Sequence, residues 1–256
     1  MKNIAIVTGA SSGLGKEFVK LLINDKNLDE ILVIARSKDN LNELKNKYGD
    51  KIKPYSTDLS DINNIKAFGK VLEKENASIK LLINNAGFAK FCSYDDISID
   101  ESINMINLNI SGVVAMGLVC IPFMDKKSHI INIASQAAFQ PLPYQNIYSA
   151  TKSFVKNYSR ALNIELKEKQ VTVTAVCPGW IKTNLFKRGC INAKKGTTNF
   201  ACMVTPDVVA KKALKDAYKN KDISVYGMYV NLCKLLSKFL PEKWIMKIWL
   251  IQQGLK

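Results

Sequence analysis

The sequence holds a single histidine, His129, and its six cysteines never fall into a Cys-x-x-Cys pair. With Cys92, Cys120, Cys177, Cys190, Cys202 and Cys233 spread this widely, neither a metal site nor a disulfide framework is expected. Reduced thiols in a cytoplasmic protein are the simpler reading. His129 leads into an apolar run and is expected to be structural. Arginine is scarce too. Arg36, Arg160 and Arg188 are the only three, although 37 basic residues against 22 acidic ones give a net charge of +15. Base readout and phosphate forks favour arginine, and no basic stripe with interleaved aromatics occurs. The charge reads as a solvated lysine-rich surface rather than a nucleic-acid interface. Internal repeats, low-complexity tracts, linkers and an amino-terminal targeting pattern are also missing. One uncharged run, 102–124, is long enough to raise a membrane span. Asn104, Asn107, Asn109 and Pro122 within it favour instead a helix buried between protein layers.

What is present suits one α/β domain: 256 residues, 47% of them hydrophobic and 23% charged. Short apolar runs at 3–8, 31–35, 52–57, 79–83, 128–135, 171–177 and 223–225 read as buried parallel strands. Helical periodicity separates them from start to finish. That alternation predicts a doubly wound parallel sheet in three layers, a Rossmann-type single domain over 1–226. The remaining 227–256 form a carboxyl-terminal helical tail of the same domain. A ligand of such a sheet lies across the carboxyl ends of its strands.

The first strand runs into Gly9, Ala10, Ser11, Ser12, Gly13, Leu14 and Gly15, followed by a helix. Glycines let a backbone approach a pyrophosphate, and a helix amino terminus favours its charge. The second strand ends in Ala35-Arg36-Ser37 instead of the acidic residue that holds a ribose 2′-hydroxyl. A cation there favours a 2′-phosphate, so NADP(H) is expected over NAD(H). Ser37 or Asp39 would cap the next helix. Asp58, before Leu59, reads equally as an acceptor for an adenine amino group and as a helix cap. Asn84-Asn85-Ala86-Gly87 ends the fourth strand with small and amide residues that suit a flat ligand. Asn109 and Gly112 are poor helix formers placed inside a helix, which hints at a use beyond packing.

Tyr148 and Lys152 stand one helical turn apart and share a face. An ammonium beside a phenol favours the phenolate, so Lys152 is expected to lower the Tyr148 pKa and make it a working acid or base. The stretch 184–204 lacks clean periodicity and resembles a mobile lid. The tail carries leucines, isoleucines and tryptophans interrupted by Lys234, Lys238, Lys243 and Lys247, with a break at Pro241. It is expected to cover the substrate mouth or a second subunit, with peripheral membrane contact as the sharper alternative.

Together these residues resemble the short-chain dehydrogenase/reductase family, in its branch of about 250 residues. The markers are the glycine loop, Asp58, Asn84 to Gly87, Asn109, Ser135, Tyr148-x-x-x-Lys152, and Pro178-Gly179 with Thr183. The resemblance implies a catalytic set of Asn109, Ser135, Tyr148 and Lys152, with Ser135 and Tyr148 holding the substrate. Tyr148 would exchange the proton, Lys152 would tune it and bind the nicotinamide ribose, and Asn109 would anchor a water joining Lys152 to solvent. Cofactor contacts would come from Gly9, Ser11, Ser12, Gly13, Leu14, Gly15, Arg36, Ser37, Asp58, Leu59, Asn85, Ala86, Gly87, Tyr148, Lys152, Pro178, Gly179, Ile181 and Thr183. Some relatives have a second basic residue where this chain has Ser12, so the NADP(H) preference rests mainly on Arg36. The resemblance implies a homodimer or homotetramer, while residues 184–204 and the tail, with Phe186, Phe200 and Met203, are expected to shape a pocket for an apolar or amphipathic carbonyl or alcohol substrate. The alternatives are a non-catalytic dinucleotide-binding regulator and a membrane-surface lipid-type reductase.

Overall fold

A computed structural model describes residues 1–75, 77–191 and 193–255. Asn192, in the 184–204 stretch, and Lys256, at the end of the tail, lie outside the described residues. Seven strands form the sheet: β1 Lys2–Thr8, β2 Glu30–Ala35, β3 Ile52–Ser56, β4 Ala77–Asn84, β5 His129–Ile133, β6 Thr172–Val176 and β7 Ile223–Ser224. All pairings are parallel and the order is β3-β2-β1-β4-β5-β6-β7. The chain reverses direction of travel across the sheet between β1 and β4. Pro54 sits in β3, the edge strand, where its missing N–H costs no ladder bond on the open side.

Helices α1 Gly13–Leu22, α2 Lys38–Tyr48, α3 Ile62–Glu75, α4 Ile99–Ile106, α5 Gly112–Cys120, α6 Asn146–Glu165, α7 Leu185–Gly189, α8 Pro206–Ala217, α9 Met228–Phe239 and α10 Glu242–Gln253 complete the fold. Side-chain alternation along the strands sorts them into layers. Ala5 and Val7 of β1, with Ile31 and Val33 of β2, pack against α1, α2 and α8. Ile4 and Ile6, with Leu32 and Ile34, pack against α3, α5 and α6. Both faces of the sheet are covered, and the strands are therefore apolar throughout.

The apolar run expected to be buried between layers forms one continuous helical segment, Ile99–Phe123. It is buried on one side only. Val113, Met116 and Cys120 face the core, while Ile103 and Leu118 are exposed. An outer helix of a three-layer fold has one protein face, so the expectation of burial on both sides is corrected. The segment widens into a π-helical turn at Asn107–Ser111, at the very place where Asn109 and Gly112 break helix preference.

Candidate active site

The sheet delivers the motif residues to one edge because each lies just past the carboxyl end of its strand. Gly9 follows β1, Arg36 follows β2, Asp58 follows β3, Asn85 follows β4, Ser135 follows β5 and Pro178 follows β6. They border a cleft of about 410 Å³. Every predicted site residue lines it except Gly15 and Asn109, which lie behind its wall.

The floor of the cleft is set by close backbone approaches. Gly9 and Gly13 have φ of 63° and 53°, in the left-handed region. A Cβ on Gly9 would stand 2.9 Å from the Ala86 Cα, and one on Gly15 would stand 2.2 Å from the Gly9 oxygen. The glycine loop thus lies flat on Asn85-Ala86. Asn85 fixes it there, with Nδ2 donating to the Thr8 and Gly9 oxygens at 3.0 and 3.2 Å. Thr8, which opens the glycine-loop motif and was given no role of its own, ties the two loops from the other side. Its Oγ1 accepts from the Asn85 and Ala86 amides, both at 2.9 Å. The open amino terminus of α1 beside this flat loop suits a pyrophosphate. The Cβ of Thr183 would lie 3.3 Å from one on Gly13, so the 178–183 loop hangs over the same spot.

Farther along, exposed Arg36 and the α2 cap border the cleft. Ser37 is that cap, its Oγ accepting from the Asn40 amide at 3.4 Å. Asp58 lines the cleft and also organises a turn, since Oδ1 accepts from the Ser60 amide and hydroxyl at 2.9 and 2.8 Å. The cap nearest α3 is Asp61, which accepts from the Asn63 amide at 2.9 Å.

At the other end Ser135, Tyr148 and Lys152 come together. Tyr148 and Lys152 are 7% and 5% exposed. The Lys152 ammonium lies 5.8 Å from the Tyr148 ring centre and donates to the Ile133 carbonyl at 2.8 Å. Ser135, extended at the end of its strand, accepts from the Ala137 amide at 3.2 Å. Behind them Asn109 is fully buried. It receives the Phe88 amide at 3.1 Å and donates to the Phe88 oxygen and Thr151 Oγ1 at 2.9 and 3.2 Å. A Cβ on Gly87 would meet Asn109 Oδ1 at 2.8 Å and Lys152 Nζ at 3.6 Å, so a glycine is required where these elements converge.

The electrostatics differ from the expectation drawn from spacing. Burial pushes the Tyr148 phenol up to about 12, partly offset by the Ser135 hydroxyl. Burial also pulls the Lys152 ammonium down to about 8. Lys152 does not lower the phenol in this structure, because desolvation dominates and its ammonium is directed at the Ile133 oxygen. The phenol is therefore protonated at neutral pH.

Aromatic side chains wall this end; Phe186 was expected to shape the pocket, whereas Phe91 and Trp180 were given no role. Phe91 stands edge-on to Tyr148 with ring centres 5.9 Å apart, and it also contacts Trp180 and Phe186. The 184–204 stretch is fastened over them. Phe91 donates to the Gly189 oxygen at 2.9 Å, Ser93 to the Lys195 oxygen at 2.9 Å, and Gln145 Nε2 to Thr197 at 2.9 Å. The tail closes the same corner. Trp249 of α10 joins this cluster and donates to the Pro143 oxygen at 3.0 Å. Gln253 Oε1 accepts from the Thr198 and Asn199 amides at 3.1 and 2.8 Å.

A doubly wound sheet with a glycine-floored cleft at its switch point, opening onto a buried Ser, Tyr and Lys, defines a dinucleotide-fold oxidoreductase. The sequence model of the short chain dehydrogenase family matches residues 3–191. The chain belongs to the short-chain dehydrogenase/reductase family. An uncharacterised oxidoreductase of Staphylococcus aureus strain N315 is 32% identical over 183 residues, which cover 70% of this chain and 78% of the relative. One from Staphylococcus epidermidis is 30% identical over 184 residues, covering 71% and 79%. Among solved structures, the closed form of a serine dehydrogenase complexed with NADP+ is 29% identical, with a TM-score of 0.76 over 87% of this chain and 94% of that one. A short-chain dehydrogenase from Sphingobium yanoikuyae in complex with NADPH shares the fold, at 23% identity and a TM-score of 0.76 over 100% and 95%.

Proposed function

We propose that the protein is an NADP(H)-dependent carbonyl reductase that interconverts a ketone and a secondary alcohol, with an apolar or amphipathic substrate. The observation that carries this reading is the meeting of Ser135, Tyr148 and Lys152 at the end of a cleft whose floor fits a dinucleotide. When bound, the nicotinamide supplies or accepts the hydride. The remaining work falls to side chains. Tyr148, protonated and buried, delivers its proton to the carbonyl oxygen. Ser135 donates a second hydrogen bond to that oxygen as negative charge grows on it. Lys152 places a cation behind the phenol and holds the nicotinamide ribose. Asn109 positions Phe88 and Thr151, and through them the loop and helix that carry Gly87 and Lys152. It also anchors the water by which Lys152 reaches solvent.

Arg36 at the tip of β2 supports NADP(H), as does the NADP+ complex of the serine dehydrogenase. Phe88, Phe91, Trp180 and Phe186 along the cleft support an apolar substrate. The same reading includes a homodimer or homotetramer in the cytoplasm, the latter consistent with six free cysteines. NADPH oxidation against a panel of ketones tests the reaction. Tyr148→Phe removes only the hydroxyl and should lower turnover by at least about a thousandfold while sparing NADPH binding. Near-normal turnover in that variant would defeat the assignment.

A further inference from the structure

The two helices of the tail are docked by one narrow face each and present a second apolar stripe outward. On α9, Val230 is the buried contact, and its side chain meets Gly179 closely enough that a Cβ there would lie 2.9 Å away. The opposite side carries Met228, Leu232, Leu235, Leu236 and Phe239, all exposed, at spacings that keep them on one helical face. On α10, Ile245, Trp249 and Gln253 form the docking row, four residues apart, and all three are buried. Trp244, Ile248 and Ile251 form another row, and all three are exposed. Met228 is 90% exposed, Phe239 76% and Trp244 62%. Half of the large apolar side chains that are exposed among the described residues fall within 228–251. A helix ordinarily turns its apolar stripe to the core. These two turn one to solvent in addition to the face they use for docking.

The flanking charge selects what covers it. Lys238, Lys243 and Lys247, all exposed, flank the stripes, while half-buried Lys234, one turn after Val230, lies towards the docking side; Glu242 is the single acidic residue between Met228 and Gln253. A second copy pairing through this surface would bring like charges together, because a two-fold interface sets one patch on itself. An anionic bilayer accepts both features: lysines at the headgroups and Leu, Ile, Phe and Trp in the boundary beneath them. The same α10 carries Trp249 into the aromatic wall beside Tyr148, so a surface bound through the tail would adjoin the apolar end of the cleft.

We propose that α9 and α10 dock the folded protein on an anionic lipid bilayer surface, without spanning it. The proposal does not depend on the reaction or the cofactor. Its test is flotation of the full-length protein with vesicles of phosphatidylcholine alone and with about 30% phosphatidylglycerol added. Binding to the anionic vesicles is expected, at least about tenfold stronger than to the neutral ones and weakened several-fold as NaCl rises from about 0.1 to about 0.5 M. Phe239→Glu and Trp244→Glu should each weaken it about tenfold or more, with circular dichroism and thermal unfolding unchanged because neither side chain is buried. Flotation with neither vesicle overturns the proposal, and so does equal binding to both. A dimer present without lipid and dissociated by Phe239→Glu would show that a second copy covers the face, and would also overturn it.

Discussion

Lys152→Met offers a measurement in which the sign, the size and the pH window all follow from the structure. Lys152 is buried, and its ammonium donates to the Ile133 oxygen at 2.8 Å. Desolvation pulls it from the ordinary 10.5 down to about 8. That difference corresponds to about 3 kcal/mol. Between pH 8 and 10.5 the unfolded chain keeps the proton that the folded one has released. Stability of the natural protein therefore rises through that window and is lost again as pH falls through about 8. Methionine has similar length, carries no charge and has no such dependence. At pH 7 the variant avoids the roughly 3 kcal/mol cost of the buried ammonium and loses about 1 kcal/mol of hydrogen bonding, a net gain of about 2 kcal/mol. Near pH 10 most of that advantage is gone, because the natural lysine is already neutral when folded. Urea denaturation of both proteins at pH 7 and at about pH 10 measures the gap, and groups that titrate alike in both cancel. A gap that stays constant or widens as pH rises would refute the reasoning. A stabilised but inactive variant would also show that this buried charge is kept for chemistry at the expense of stability.

Two further substitutions probe the cofactor end of the cleft. Arg36→Ala removes the cation at the tip of β2 and should weaken NADPH binding by about 10- to 100-fold while changing NADH by less than about threefold; fluorescence titration with both reads this directly, and equal losses would argue against 2′-phosphate recognition. Gly15→Ala would set a Cβ 2.2 Å from the Gly9 oxygen and 2.7 Å from Asn85 Nδ2, so the backbone must shift. A loss of about 1–3 kcal/mol and a melting point lower by about 2–12 °C are expected, and an unchanged melting point would contradict the close packing of the glycine loop on Asn85.

Much of this protein was decided by local pattern. Runs such as Ile4 to Val7 and Ile31 to Ile34 are apolar on both faces because helices cover both sides of the sheet, and that makes each strand readable by itself. In a parallel sheet every strand ends at the same edge, so the order of elements was enough to bring Gly9, Arg36, Asn85, Ser135 and Pro178 together. The close approach expected of the glycine loop rests on the same local ground, since Gly9 and Gly13 hold a positive φ that glycine adopts readily.

Tertiary structure decided what depends on partners far apart in the chain. Asn109 gave a local warning, a poor helix former in a helix, but its π-turn and its bonds to Phe88 and Thr151 appear only once three segments meet. The tail pattern showed apolar residues and lysines without telling which row docks. Trp249 turns inward because Phe91 and Trp180 have built a corner for it, and Trp244 is left in solvent. The Tyr148–Lys152 pair shows the division most clearly. Spacing put both on one helical face, and an isolated pair in water would have its phenol lowered by the ammonium. Packing then removed the water from both, so that burial, a property of the whole fold, raises the tyrosine and lowers the lysine.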